Sequence, residues 1–253
     1  MLTRSIFSLA MIVSFVGVLM PVGMAQSVEL KPIDRIDASD LPYSRSPYYG
    51  LSPEQVKDFA ALREEYRKSQ WADEAGRIAR YGQNHNVIRD DDYLYINDAS
   101  GGRPFAFRNI WGVEPAALYA YLAYDDLAHF HIVGEGGHDM PRLLFISAKT
   151  GLVYQGFGAG EPIYSRDQKR LLSVGIEGMG HPMGVAIYRF DGNKPVAEGV
   201  YDIGHSAPCS IEWLGPTEVK ALCPGAWPED GKFDYRLTYL NDRWHSSRQL
   251  VAK

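Results

Sequence analysis

Apolar positions along the chain fall into three textures. The first is a single uncharged, mostly apolar run from Ile6 to Met20. The second has helical spacing: Val56, Phe59, Leu62 and Tyr66, then Trp71, Ala75 and Ile78, with a break near Ser69 and charged residues (Lys57, Asp58, Arg63, Glu64, Arg67, Lys68) on the other face. This pattern predicts a surface helix docked by one stripe. Ser52-Pro53-Glu54-Gln55 supplies its start, with Ser52 as the cap, Pro53 at the first helical position and Gln55 completing a capping box. Gly82 is a fitting stop. The third texture begins at Tyr93, where short apolar runs alternate with turn residues, the signature of strands.

The turns organise this third region. Hairpin turns are expected at Lys149-Thr150-Gly151, Arg166–Lys169, Asp191–Lys194, Gly215–Glu218 and Asn241-Asp242. Every second turn recurs after about 45–50 residues, the length of one four-stranded propeller blade. Upstream, Tyr93–Asn97, Phe105–Ile110, Ala117–Leu122 and Ala128–Val133 supply further strands, although Ala117–Leu122 reads equally as a helical turn. The total, about fourteen, falls short of the roughly sixteen strands of a closed four-bladed propeller. The fold class expected is therefore mainly β. Its antiparallel hairpins form the propeller-like blades of an incomplete or small propeller, behind an N-terminal helical segment; a β-sandwich is the alternative.

One hairpin can be registered from spacing alone. Folding the chain about Pro216 sets Leu214 against Glu218, Trp213 against Val219, Glu212 against Lys220, Ile211 against Ala221 and Cys209 against Cys223. One face is then wholly apolar and the other carries a Glu212–Lys220 ion pair; a register slipped by one residue would mix the two. Opposed cysteines lie within disulfide range. They are the only 2 in the chain, which predicts a Cys209–Cys223 disulfide.

The N-terminus sets the compartment. Arg4 precedes the apolar run, Pro21 ends it, and Gly23 and Ala25 are the small residues of a cleavage site. Residues 1–25 therefore read as a secretory signal peptide, too short in its apolar part for the roughly 20 residues of a membrane span. The alternative is an uncleaved anchor. No later run is apolar and long enough to span, so no membrane span is expected after signal removal. Residues 26–50, with Pro32, Pro42 and Pro47, read as an extended arm or linker, or as a first strand around Ser27–Ile33. The helical segment covers 51–84 and the β domain 85–253. The net charge of −5 becomes one unit more negative when Arg4 is removed. A mildly acidic chain is a poor ligand for nucleic acid.

Tyr164-Ser165-Arg166-Asp167-Gln168-Lys169-Arg170-Leu171-Leu172 resembles the Ser-Pro-Asp-Gly-Lys-x-Leu turn of TolB-like β-propeller repeats. Ser165, Asp167, Lys169 and Leu171 are kept; Arg166 stands for the proline and Gln168 for the glycine. In that family the turn joins the first two strands of a blade. Ile187–Gly192 is similar to the later strand and turn of the same blade. The resemblance spans about one blade and implies a repeat type; it assigns no functional residue.

Candidate chemistry centres on histidine. His129 and His131, read as alternate positions of one strand, would face one side, with Glu135 and His138 close behind. Two such histidines with a carboxylate suit a divalent metal such as zinc or copper. His-x-His-x-x-x-Glu is similar to part of the first cupin motif, but Ile187 stands where the downstream histidine of the second motif belongs. Against this stands a strand carrying two surface histidines before a glycine-rich loop. Gly-His steps recur at His138, His181 and His205. With Met140, Met179 and Met183 nearby, they form a second candidate set for copper, and otherwise three turn loops. Asp90-Asp91-Asp92 and Asp125-Asp126 read as solvated turn caps. Tyr119, Tyr121, Tyr124, Trp111, Trp227 and Trp244 read mostly as core, or as an aromatic binding face. No G-x-S-x-G elbow or phosphate-binding loop occurs.

These readings favour an exported, periplasmic or extracellular, non-catalytic protein without a cofactor. It would bind another protein or an envelope glycan through the loops around His138, His181 and His205. One alternative is a metal-dependent, cupin-like enzyme using His129, His131, Glu135 and His138. Another is an inhibitor or immunity-type protein against an envelope hydrolase or toxin. The sequence leaves the oligomeric state open.

Overall fold

A computed structural model describes residues 28–33, 52–68, 72–82, 85–97, 105–111, 117–137, 142–158, 160–176, 183–203, 209–224 and 232–252. The expected signal peptide, Trp227, and the Gly-His residues His138, His181 and His205 lie outside them. Among the described residues no helix is long and apolar enough to cross a membrane.

The arm contributes two short strands, β1 (Val28–Glu29) and β2 (Pro32–Ile33). Helix α1 (Pro53–Tyr66) carries the expected capping box: Gln55 N donates to Ser52 Oγ, and Ser52 N donates to Gln55 Oε1. Helix α2 (Ala72–Arg77) continues into a π-helical turn, Ile78–Gly82. The stripe expected here is shifted by one residue. Ala75 is exposed and Glu74 is completely buried.

Four antiparallel sheets follow in chain order. Sheet 1 holds β3 (Val87–Asp90), β4 (Tyr93–Ile96) and β5 (Phe105–Arg108). Sheet 2 holds β6 (Ala117–Asp125), β7 (Phe130–Gly137), β8 (Arg142–Ser147) and β9 (Val153–Phe157), so Ala117–Leu122 is strand. Sheet 3 holds β10 (Ile163–Tyr164), β11 (Arg170–Ile176), β12 (Met183–Asp191) and β13 (Lys194–Asp202). Sheet 4 holds β14 (Ser210–Gly215), β15 (Glu218–Pro224), β16 (Lys232–Leu240) and β17 (Arg243–Ala252). Each sheet is a meander of sequential neighbours. Sheets 2, 3 and 4 begin at Ala117, Ile163 and Ser210, a repeat of 46 and then 47 residues. All five expected hairpin turns are present.

The sheets stack face to face in sequence order. Val87, Leu94, Ile96, Phe105 and Phe107 of sheet 1 pack on Tyr121, Val133 and Ile146 of sheet 2. The opposite face of sheet 2, with Phe130, Ile132 and Phe145, meets Leu171, Ala186 and Tyr188 of sheet 3. Sheet 3 turns Leu172, Val185 and Ile187 toward Val219, Ala221, Phe233 and Trp244 of sheet 4. Among the described residues these are the cores, and none joins sheet 4 back to sheet 1.

The arm straps the middle of the stack. β1 adds to the outer edge of sheet 3 on β13, and β2 adds to the outer edge of sheet 2 on β9. At the inner edge of sheet 2, α2 plays the corresponding part. Glu74 Oε1 accepts the Tyr121 N–H at 2.6 Å and Arg77 donates to the Tyr121 carbonyl, while Arg89, which lies on β3 and pairs with Glu74, donates to the carbonyl of Tyr119. These side chains satisfy backbone groups that a bare edge strand would leave open.

The hairpin registered from spacing forms with Cys209 and Cys223 joined, Cα atoms 4.4 Å apart. Ile211, Glu212 and Trp213 have the partners expected. Two details differ. Gly215, not Leu214, faces Glu218, because a bulge takes up Leu214 before the two-residue turn. Lys220 makes its ion contact with Asp234, at 4.0 Å on the next strand, instead of with Glu212.

Candidate functional site

A meander places its connections at two ends. The turns 126–129, 148–152, 165–169, 192–193, 216–217 and 241–242 all lie at one end of sheets 2 to 4. The strand ends Gly137 and Arg142, Ile176 and Met183, and Ile203 and Cys209 lie at the other. The ring of Phe157, at that second end of sheet 2, lies against Gly175 and Gly184 of sheet 3. Ile203 shares a core with Cys223 of sheet 4. The described strand ends flanking His138, His181 and His205 are thus brought to one end of the stack.

Glu135 and Tyr119 sit at that end. Tyr119 Oη donates to Glu135 Oε1 at 3.2 Å, and Arg142 lies 3.8 Å from the carboxylate. Burial pushes the Glu135 carboxyl above its ordinary range, against the opposing pull of Arg142 and the Tyr119 hydrogen bond. Asp92, expected to be a solvated cap, is buried there. Its carboxylate accepts from Trp111 Nε1 at 2.9 Å and pairs with Arg63 at 3.0 Å, tying α1 to sheet 1.

The short-turn end carries a denser constellation. Tyr124 of β6 stacks on His85 with centroids 3.5 Å apart, meets His131 edge-on at 4.9 Å, and places its hydroxyl 3.4 Å from His129 Nδ1. Tyr121 Oη is 3.4 Å from His131 Nδ1. Burial lowers the His85 pKa below the ordinary value of 6.5, opposed by the Asp126 charge and reinforced by His129. Asp125 is also buried. Its Oδ1 caps the N–H groups of Leu127 and Ala128, and burial raises its pKa despite those bonds.

No protein-family model and no curated protein matches the chain.

The histidines expected to share a strand are separated. His129 stands in the turn with φ +59, and β7 starts only at Phe130. The cause is the four-residue turn capped by Asp125, which spends His129 on closing the hairpin. His131 is buried, with Tyr124 between it and His129. Among the described residues no group of three His, Cys, Asp or Glu is disposed to hold a metal. His85, which sequence reasoning missed, joins the cluster from the far side of the helical segment. Nothing in its local pattern marks it. Of the aromatics considered for a binding face, Tyr119, Tyr121, Tyr124, Trp111 and Trp244 are all core.

Beside this cluster a cleft of about 430 Å³ opens between sheets 2 and 3. Leu127, Ala128 and Phe190 form an apolar wall, and Gln168, Lys169 and Arg189 form a polar rim. The cluster itself, with its hydroxyls and imidazoles turned on one another, serves to fix the turn.

Proposed function

We propose that the chain is an exported, non-catalytic binding protein whose four sheets are the blades of an open propeller. The observation that carries this reading is the 46- and 47-residue repeat of one meander, sheet after sheet. The turn that resembles TolB-like repeats supports it. It joins β10 to β11, the first two strands of a sheet, and Gln168 takes φ +55 at the position where the resembled turn has glycine. Ser165 Oγ holds the turn by donating to Asp167 and accepting from Arg170 N. Export is supported by the N-terminal segment and by the disulfide, which persists in oxidising compartments.

The partner is another protein or an envelope glycan, bound by the loops that carry His138, His181 and His205. Connections displayed together at one end of a rigid scaffold are where contacts collect. Capture from envelope extract tests this. Immobilised wild-type protein retains a partner that the triple variant His138→Ala/His181→Ala/His205→Ala retains several-fold less. Failure of both to retain anything, together with turnover of a defined substrate, replaces the reading by an enzyme. Stoichiometric metal on untagged protein, lost on changing His129 and His131, replaces it by the metal-dependent alternative.

A further inference from the structure

Sheets 2 and 3 each have a fifth strand on the outer edge, supplied by the arm. Sheet 4 ends on β17, with no further strand beside it among the described residues. β17 is 10 residues long, and its side chains from His245 to Val251 are all exposed. Leu250 and Val251 are large apolar groups in that stretch, 43% and 58% exposed.

The turn decides which backbone groups of β17 point outward. Asn241 and Asp242 have φ values of +51 and +60, a two-residue turn that makes Leu240 and Arg243 the closing hydrogen-bonded pair. Alternation then makes Trp244, Ser246 and Leu250 non-hydrogen-bonded positions opposite Tyr239, Leu237 and Phe233. Their N–H and C=O groups point away from β16. Tyr201 provides a check, since its hydroxyl reaches the Trp244 carbonyl from outside the sheet at 3.4 Å. Ser246 and Leu250 repeat that outward direction further along the edge.

The charge of the strand selects what could pair there. β17 carries Arg243, His245 and Arg248 and no acidic residue. Where the arm adds to β13, Glu29 of the incoming strand pairs with Lys194 of the edge at 2.5 Å. Two copies of β17 would set one basic strand against another, without the opposite charge that Glu29 brings to Lys194.

We propose that the outer edge of β17 takes an extended, acidic segment of a partner protein as the fifth strand of sheet 4. This rests on the reading of the chain as a binding protein, and names a protein, not a glycan, as the occupant. Main-chain hydrogen bonds supply affinity, and Arg243 and the apolar pair Leu250–Val251 select the side chains.

Fluorescence anisotropy of the full chain with a labelled peptide of alternating glutamate and valine tests it, against the same peptide with lysine for glutamate. The acidic peptide should bind wild type about tenfold more tightly than the lysine peptide, and lose about tenfold with Ser246→Pro. That substitution removes an outward N–H, a place where edge strands tolerate proline. Circular dichroism checks its fold; if it unfolds, Arg243→Glu serves instead and should reverse the preference between the peptides. No saturable binding to wild type, or equal affinities for the two peptides, overturns the proposal. Envelope capture separates the two claims. A partner held equally by wild type and a folded Ser246→Pro protein overturns the edge and leaves the binding reading intact. Retention of nothing by either, together with turnover of a defined substrate, overturns the reading itself.

Discussion

Trp244 Nε1 donates a 2.8 Å hydrogen bond to Glu198 Oε2, joining the last strand of sheet 4 to the carboxylate of β13. The same carboxylate receives Arg170 Nε at 2.6 Å and Arg189 Nε at 3.2 Å, and is 2% exposed. Arg170 and an indole therefore depend on one negative charge, which Arg189 shares with that of Asp191. Glu198→Gln keeps the shape and removes the charge, leaving the largely buried Arg170 without its carboxylate partner, while Arg189 keeps Asp191 at 3.3 Å. The expected loss is about 3–5 kcal/mol, read from urea unfolding. A midpoint equal to wild type would show that water reaches the site and screens the arginines.

A Cβ on Gly184 would stand 2.7 Å from the ring of Phe157, so glycine is what lets sheets 2 and 3 close at this end. Gly184→Ala should cost about 1–3 kcal/mol through displacement of a packed ring. Adding Phe157→Leu should recover part of that loss. If the double variant is instead less stable than the sum of the single changes, the ring is not the obstacle.

The disulfide closes a loop of 14 residues in sequence separation, across a hairpin that already pairs well. Its effect should therefore fall mainly on the unfolded chain. Cys209→Ser/Cys223→Ser should lower stability by about 3 kcal/mol in guanidinium titration. Wild type under reductant should match the variant; a difference between them would point to the serine hydroxyls.

His85 sets a pH dependence. Its pKa is lowered in the folded state, so the unfolded chain takes up the proton first. The His85 contribution to stability is complete above the ordinary value of 6.5, and is lost as pH falls below it through the lowered value. His85→Gln should therefore flatten the dependence of the unfolding midpoint on pH in mildly acidic buffer. An unchanged slope would show that His85 does not set that dependence.

Several elements were legible in the residues themselves because their determinants are local. Ser52 and Gln55 cap α1 from within four residues. The turns at 191–194 and 241–242 follow from turn chemistry. The register of Ile211–Trp213 against Val219–Ala221 emerged because sheet 4 ends the stack. Only one of its faces is buried, so apolar and polar residues alternate along it. In sheets 2 and 3 both faces are buried, and runs such as Leu143–Ile146 and Val185–Tyr188 are continuously apolar. Alternation is lost there, and with it any sign of which neighbour each side chain meets.

By itself, then, the sequence determined the hairpin turns, most of the strands they join, a repeat of about 45–50 residues and the pairing of its two cysteines, since each is decided by neighbours along one hairpin; the strand Val87–Asp90 and the strand character of Ala117–Leu122 came only with the structure. Only the tertiary structure decided the stacking order, the arm laid across β13 and β9, and the burial of Glu74, Asp92 and Asp125. It also brought His85 to Tyr124. These depend on groups tens of residues apart: a buried carboxylate is tolerated only when distant donors reach it, and no local pattern along the chain records where those donors will be.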